Sequence, residues 1–76
     1  MNNSLDALFK RLNDQLPEWL IYTMGERPRR SLYQRFFCGL ERRAGGRIVL
    51  GEGKTFHLAM ARAIGDALTQ DRESRP

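Results

Sequence analysis

The 76-residue sequence is nearly devoid of the residues that build covalent or metal-bound sites, since it has one cysteine and one histidine. A single cysteine, Cys38, excludes a disulfide within the chain and fits a reducing compartment. One cysteine and one histidine, His57, are also too few for a zinc site within one chain. We therefore expect no metal ion.

Features that would indicate catalysis are equally scarce. Cys38 and His57 would form a nucleophile–base pair only if the fold brought them together, and no third residue that would orient the histidine is evident. Residues 51–55, GEGKT, match the end of a phosphate-binding loop, but position 48, where that motif requires its first glycine, is Ile48. We therefore predict no catalytic residue, no cofactor and a protein that is not an enzyme.

Long hydrophobic runs are absent as well. No apolar stretch approaches the about 20 residues of a membrane-spanning helix. The first ten residues, MNNSLDALFK, carry an acid and lack the apolar run of a signal peptide. These features predict a cytoplasmic protein with no membrane partner. The hydrophobic fraction of 41% nevertheless suffices for a core, so we predict one domain over residues 1–76, ordered over about 4–70.

Acidic residues are few in the middle of the chain. From residue 27 to residue 54 the sequence has eight basic residues and two acidic ones. Such a concentration favours an anionic partner, either nucleic acid or an acidic protein surface, although an ordinary solvated surface accounts for it equally well. The residues predicted to contact an anionic partner are Arg27, Arg29, Arg30, Arg42, Arg43 and Lys54.

Hydrophobic periodicity predicts an α+β fold, a single small αβββα domain. Apolar residues recur at helical spacing over residues 4–16, with Asn3 or Ser4 as the N-cap. Residues 18–24 are rich in β-branched and aromatic side chains and predict a strand with Trp19, Ile21 and Thr23 on one side. A loop over residues 25–31 follows, because glycine, proline and charged residues concentrate there.

Residues 32–41 have two interpretations. As a helix, these residues would follow Ser31 as the N-cap and place their apolar side chains on one face. As a strand, successive side chains would alternate between the two faces of the sheet. We favour the strand, because Gly39 is unfavourable in a helix and a Gly-Gly turn leads into the clearer strand 47–51. The predicted sheet is then antiparallel and three-stranded, with two helices on one face.

The last helix is predicted to begin after Thr55, which would cap it, and to run to about residue 70. Glycines at 51 and 53 would allow a sharp exit from the preceding strand. The polar residues 71–76 are predicted to form a frayed tail.

The sheet face away from the helices is the predicted partner-binding surface. It would carry Tyr33, Arg35 and Phe37, together with Arg47 and Val49. Aromatic side chains mixed with arginines are typical both of protein-binding hot spots and of platforms that stack single-stranded nucleic acid. We predict that Tyr33, Arg35, Phe37 and Arg47 bind a protein partner. A second copy of the chain, which would make a homodimer, and nucleic acid remain open as alternatives.

An aromatic strand, a glycine turn, the V-x-G-x-G of residues 49–53, Thr55 and an alanine-rich helix follow one another. This order resembles small αβββα proteins of tailed phages and prophages, sometimes described as ABA sandwiches. The resemblance covers residues 5–68 and rests on apolar spacing and glycines. It implies an accessory protein that acts in the bacterial cytoplasm by docking onto a host protein or complex and inhibiting or modulating it, as anti-defence proteins of the anti-CRISPR type do.

The same chain order is similar to the double-stranded RNA-binding domain, which also has a glycine-rich break, here residues 51–53, before its last helix. That family grips phosphates through a lysine cluster at the start of this helix. The corresponding positions here are Phe56, His57 and Met60, with the single Lys54 before them. This resemblance implies the alternative function, a nucleic-acid-binding accessory or regulatory protein that uses the arginine-rich patch.

Overall fold

Two helices and three strands follow one another in the predicted order. The computed structural model describes residues 5–73. Its elements are α1 (Leu5–Gln15), β1 (Trp19–Glu26), β2 (Phe36–Arg42), β3 (Ile48–Gly53) and α2 (Phe56–Glu73). The strands form one antiparallel sheet in the order β1-β2-β3, so β2 is the central strand. The predicted α+β fold is confirmed.

The core lies between the sheet and both helices, which pack on the same face. Along β2, Cys38 and Leu40 are fully buried, so the residue between them points to the other face. Removal of apolar surface from water at this interface is the main stabilising term of the fold. The core residues are Leu8, Leu12, Leu16, Trp19, Cys38, Leu40, Val49, Ala59, Met60, Ala63, Ile64 and Ala67.

Helix α2 approaches β3 closely because both contact surfaces lack large side chains. A Cβ atom on Gly51 would collide with the carbonyl oxygen of Ala59 and lie 2.5 Å from the amide nitrogen of Ala63. A Cβ atom on Gly53 would lie 2.7 Å from that of Leu58. The prediction that these glycines give a sharp exit from the strand is therefore wrong. Both lie within β3, where they make room for the helix.

The β1–β2 connection is shorter than predicted, and part of it is helical. β1 continues through Gly25 and Glu26, which were predicted to lie in the loop, because both residues pair with β2. Within residues 32–41, the strand interpretation holds from residue 36 onward, whereas Leu32–Gln34 form a turn of 3-10 helix. The helical interpretation is therefore correct for a single turn only.

The turn between β2 and β3 has the predicted Gly-Gly pattern. Gly45 and Gly46 have φ angles of 92° and 64°, which a residue without a Cβ atom adopts at little cost. Strand β3 begins at Ile48, one residue later than predicted, and extends through Gly53, two residues further than predicted. Arg47 consequently belongs to the turn, where its carbonyl oxygen accepts a hydrogen bond from the Arg42 N–H at 2.8 Å.

A bulge in β1 reverses the predicted side-chain alternation near the end of the strand. It falls at Tyr22, between the register positions of Ile21 and Thr23. As a result, Met24 packs against the core, while Tyr22 and Thr23 both lie over Gly39 on the other face. The prediction that Thr23 shares a face with Ile21 is wrong, because one inserted residue moves every later side chain to the opposite face.

Helix α2 runs to Glu73, three residues beyond the predicted end at about residue 70. The Trp19 Nε1–H donates to Oδ1 of Asp71 at 3.2 Å. Arg42 Nε lies 3.7 Å from the same oxygen, and Arg42 Nη2 lies 3.4 Å from Oε1 of Glu18. These contacts hold the last turns of α2 against the sheet. Residues 74–76 of the predicted tail lie outside the described residues.

The predicted helix caps have two outcomes. The Leu58 N–H donates to Oγ1 of Thr55 at 3.1 Å, so Thr55 caps α2 as predicted. The predicted caps of α1, Asn3 and Ser4, lie outside the described residues. Helix α1 itself falls within the predicted range of residues 4–16.

The contact between α2 and β3 predicts a large difference between two glycine-to-alanine substitutions. Gly51→Ala should lower the free energy of unfolding by about 3 kcal/mol, because the helix backbone must move to admit a methyl group. Gly65→Ala is the matched control, since nothing lies within 4 Å of a Cβ atom there. It should raise the free energy by about 0.5–1 kcal/mol through helix propensity. Urea unfolding measures both, and wild-type stability for Gly51→Ala would contradict the close packing.

Candidate interaction surface

No helix among residues 5–73 covers the sheet face opposite α1 and α2, and we call it the open face. Leu20 and Tyr22 of β1 lie there with exposed fractions of 46% and 59%. Ile48 and Leu50 of β3 lie there with exposed fractions of 50% and 45%. We call these four side chains the apolar patch. Together they place large hydrophobic groups in water on both outer strands.

The two halves of the apolar patch meet over Gly39, at the centre of the open face. A Cβ atom on Gly39 would lie 3.6 Å from Cδ2 of Tyr22 and 3.6 Å from Cδ1 of Leu50. It would lie 2.8 Å from Cγ2 of Thr23. Tyr22 and Leu50 therefore approach the same point from opposite strands, so the patch spans the sheet at Gly39.

Phe37, a predicted partner-binding residue, lies on the open face beneath Arg27. The Arg27 guanidinium carbon is 4.3 Å from the centre of the Phe37 ring, and Arg27 Nη1 is 2.5 Å from Oε2 of Glu52. Glu52 is the register partner of Phe37 on β3. The cation–π contact and the ion pair together fix the start of the β1–β2 loop to the sheet. Phe37 is therefore half-buried, and Arg27 is engaged within the chain.

The other predicted partner-binding residues lie beyond the two ends of the open face. Tyr33 is in the 3-10 turn, and Arg35, which follows it, pairs with Glu26 at 3.0 Å. Arg47 lies at the opposite end, in the β2–β3 turn. The structure thus brings Tyr33 and Arg35 near one end of the sheet, Arg47 to the other end and Phe37 onto the face between them.

The prediction that Val49 faces the partner is wrong. Val49 pairs with Leu40 and is buried in the core, so its neighbours Ile48 and Leu50 point to the open face. A strand that begins at Arg47 was expected to turn residues 47, 49 and 51 to the outer side. The sequence does contain a feature that indicates the correct face for Val49. The small residues at 51 and 53 share its side of the strand and match the alanines of the last helix.

The predicted basic residues divide between the two ends of the sheet. Arg29 and Arg30 lie in the β1–β2 loop, and Arg43 and Arg47 lie in the β2–β3 turn. Strand β2 has seven residues, so these ends are about 20 Å apart. No ion pair is found for these four arginines within the described part of the chain, and we call them the end arginines. Three other arginines pair with carboxylates: Arg27, Arg35 and Arg42.

The positions that match the lysine cluster of the double-stranded RNA-binding domain serve the packing of α2. Met60 is fully buried, and the Phe56 ring lies against Phe36 with ring centres 4.5 Å apart. His57 is half-buried in the first turn of the helix. Lys54 precedes them, with Nζ 5.7 Å from the centre of the Tyr33 ring. Lys54 is thus the one cation among these matched positions and the residues directly before them.

The residues considered for catalysis offer little chemistry. Cys38 is fully buried, and burial raises the pKa of its thiol, which disfavours the thiolate that a nucleophile requires. Among residues 5–73, no group of three or more histidine, cysteine or carboxylate side chains is arranged to hold a metal ion. No helix in that range is long and apolar enough to cross a membrane.

The burial of Cys38 predicts that its thiol is inert in the folded protein. Iodoacetamide should leave native Cys38 unmodified and alkylate it rapidly after guanidinium unfolding, because the reagent needs both access and a thiolate. Mass spectrometry of samples quenched over time measures the modification, and the unfolded sample is the control. Fast alkylation of the folded protein would contradict the burial of this residue.

The comparisons with known proteins give no relative from which a function could be inferred. The chain has the α-β-β-β-α order that both resemblances imply. The apolar patch and the end arginines are the features of the chain that bear on its function. Comparison with models of protein families, with curated proteins and with solved structures finds no match for this chain.

Proposed function

We propose that this chain is a non-enzymatic binding module that docks onto a partner protein through the open face. The observation that carries the proposal is the apolar patch formed by Leu20, Tyr22, Ile48 and Leu50, which spans the sheet over Gly39. Large hydrophobic side chains scattered singly over a surface are ordinary, whereas a contiguous group on one face is typical of an interaction site. In the setting of the phage resemblance, the partner is a bacterial host protein or complex that docking inhibits or modulates.

The end arginines support a partner with acidic groups around an apolar contact. Arg29 and Arg30 flank one end of the open face, and Arg43 and Arg47 flank the other. Arginine guanidinium groups bind carboxylates in a bidentate manner. Charges at the rim of an interface mainly raise the association rate and select the partner, while the buried apolar centre supplies most of the affinity.

The same charges argue against a second copy of the chain as the occupant of the open face. Both ends of the sheet are basic, so any stacking of two copies with aligned strands, parallel or antiparallel, places arginines against arginines. Like charges that face one another across an interface oppose association. These charges favour as occupant a different molecule, which presents acidic groups to these ends.

Nucleic acid is the alternative, and one observation favours it. Arg29, Arg30 and Lys54 lie near the same end of the sheet, where Tyr33 adds an exposed aromatic ring. Cations beside an exposed ring are used to bind single strands. This arrangement leaves the apolar patch unused.

A pair of leucine substitutions tests the proposal. The tagged protein is used to capture partners from nuclease-treated bacterial lysate, and the captured protein is quantified by mass spectrometry. Leu50→Ala should reduce capture at least about tenfold, as expected for a residue at the centre of an interface. Leu32→Ala is the matched control, because Leu32 is exposed to a similar degree, 55%, but lies in the 3-10 turn.

Two results would contradict docking through the open face. One is undiminished capture by Leu50→Ala, with circular dichroism confirming that the variant folds. The other is recovery of nucleic acid alone, lost on nuclease treatment and weakening steeply with salt as counterions are released. The second result would support the alternative function.

A further inference from the structure

We infer that the partner occupies the open face with a single amphipathic α-helix that is acidic at both ends. This inference rests on the proposed function, because it names the element that the partner presents there. Four observations carry it: the width of the face, the irregular edge of β1, the spacing of the end arginines and the carboxylate of Glu41.

The open face is as wide as one helix. It has three strands spaced about 4.8 Å apart, so the outer strands lie about 10 Å from each other. An α-helix with its side chains is about 10–12 Å in diameter. The exposed large side chains stand on the outer strands, while β2 between them carries Gly39 at the centre of the face and Phe37, beneath Arg27, towards the β1–β2 loop. A helix laid along β2 would touch Leu20 and Tyr22 on one side and Ile48 and Leu50 on the other.

The opposite face of the sheet is already covered in this way. Helix α2 packs there across β2 and β3. A second helix on the open face would complete three layers, with the sheet buried between helices, which is a common stable architecture. The two faces differ in whether the helix or the sheet contributes the large side chains. Alanines and glycines meet between α2 and β3, whereas on the open face the sheet supplies large side chains.

The irregular edge of β1 disfavours the main competing mode, in which an extended peptide adds as a fourth strand. The bulge at Tyr22 interrupts the regular ladder of β1, and bulges of this kind prevent strands from pairing at an edge. The 3-10 turn Leu32–Gln34 packs against the end of β3, next to Lys54. The face is thus more accessible to a partner than the edge of β1.

The charges set the pattern of acidic residues along the partner helix. The two pairs of end arginines lie at opposite ends of a strand about 20 Å long, a distance that corresponds to about 13 residues of helix at 1.5 Å per residue. Acidic residues in the first and last turns would meet Arg29 and Arg30 at one end and Arg43 and Arg47 at the other. Glu41, the last residue but one of β2, lies half-buried on the face beside the β2–β3 turn, and no ion pair is found for it in the described range. An acid of the partner must therefore lie over the turn, beyond Glu41, to meet Arg43 and Arg47 without facing this carboxylate.

Selection from a displayed library of random peptides of about 16 residues tests this inference, since that length spans the face as a helix. The peptides are selected on the full chain and counter-selected on Leu50→Ala. Enriched sequences should have apolar residues at spacings i, i+3, i+4 and i+7, with Asp or Glu in the terminal turns. By fluorescence anisotropy, the best peptide should bind Leu50→Ala at least tenfold more weakly than wild type and Leu32→Ala equally well.

A charge exchange tests the acidic ends. Arg47→Glu should weaken the selected peptide several-fold, and a peptide with lysine in place of the acids of one terminal turn should regain the loss. Enrichment of alternating apolar patterns, of peptides with basic ends, or of no peptide that depends on Leu50 would overturn the inference. The effect of Leu50→Ala on capture from lysate is measured separately from peptide selection. The helix inference can therefore fail while the docking function holds, and the two failures are distinguishable.

Discussion

The close contact between α2 and β3 is the constraint on which the rest of the structure depends. Gly51 and Gly53 on the strand meet α2, and even a methyl group does not fit between the backbones at Gly51, where Ala59 and Ala63 lie opposite. This contact decides which face of the sheet receives the helices. Because side chains alternate along a strand, it also decides that Ile48 and Leu50 face away from the core.

The open face follows from that choice. Its large hydrophobic side chains are unfavourable in water and are gathered above Gly39, where the bulge of β1 brings Tyr22 inward. Two of the arginines predicted to bind an anionic partner, Arg27 and Arg42, form ion pairs within the chain, as does Arg35, whereas the end arginines do not within the described residues. Apolar contact and unpaired charge are thus separated in space, as expected at an interface with an apolar centre and a charged rim.

The sequence predicts the elements of this fold better than it predicts the surface. Helical periodicity, the Gly-Gly turn and the Thr55 cap act locally, so they can be recognised without the tertiary structure. The open face depends on strand register, where an error of one residue exchanges Val49 for Ile48 and Leu50. The bulge at Tyr22 has the same effect in β1, and no local signal in the sequence marked it.

The most direct test of docking through the open face is a methyl NMR titration of the chain with its captured partner. Methyl resonances of Leu20, Ile48 and Leu50 should shift or broaden on addition of the partner, because these groups pass from water into the interface. The methyl resonances of Leu32, which is exposed but lies beyond the sheet, should stay in place. Perturbation of Leu32 with unchanged signals from the three patch residues would contradict the account.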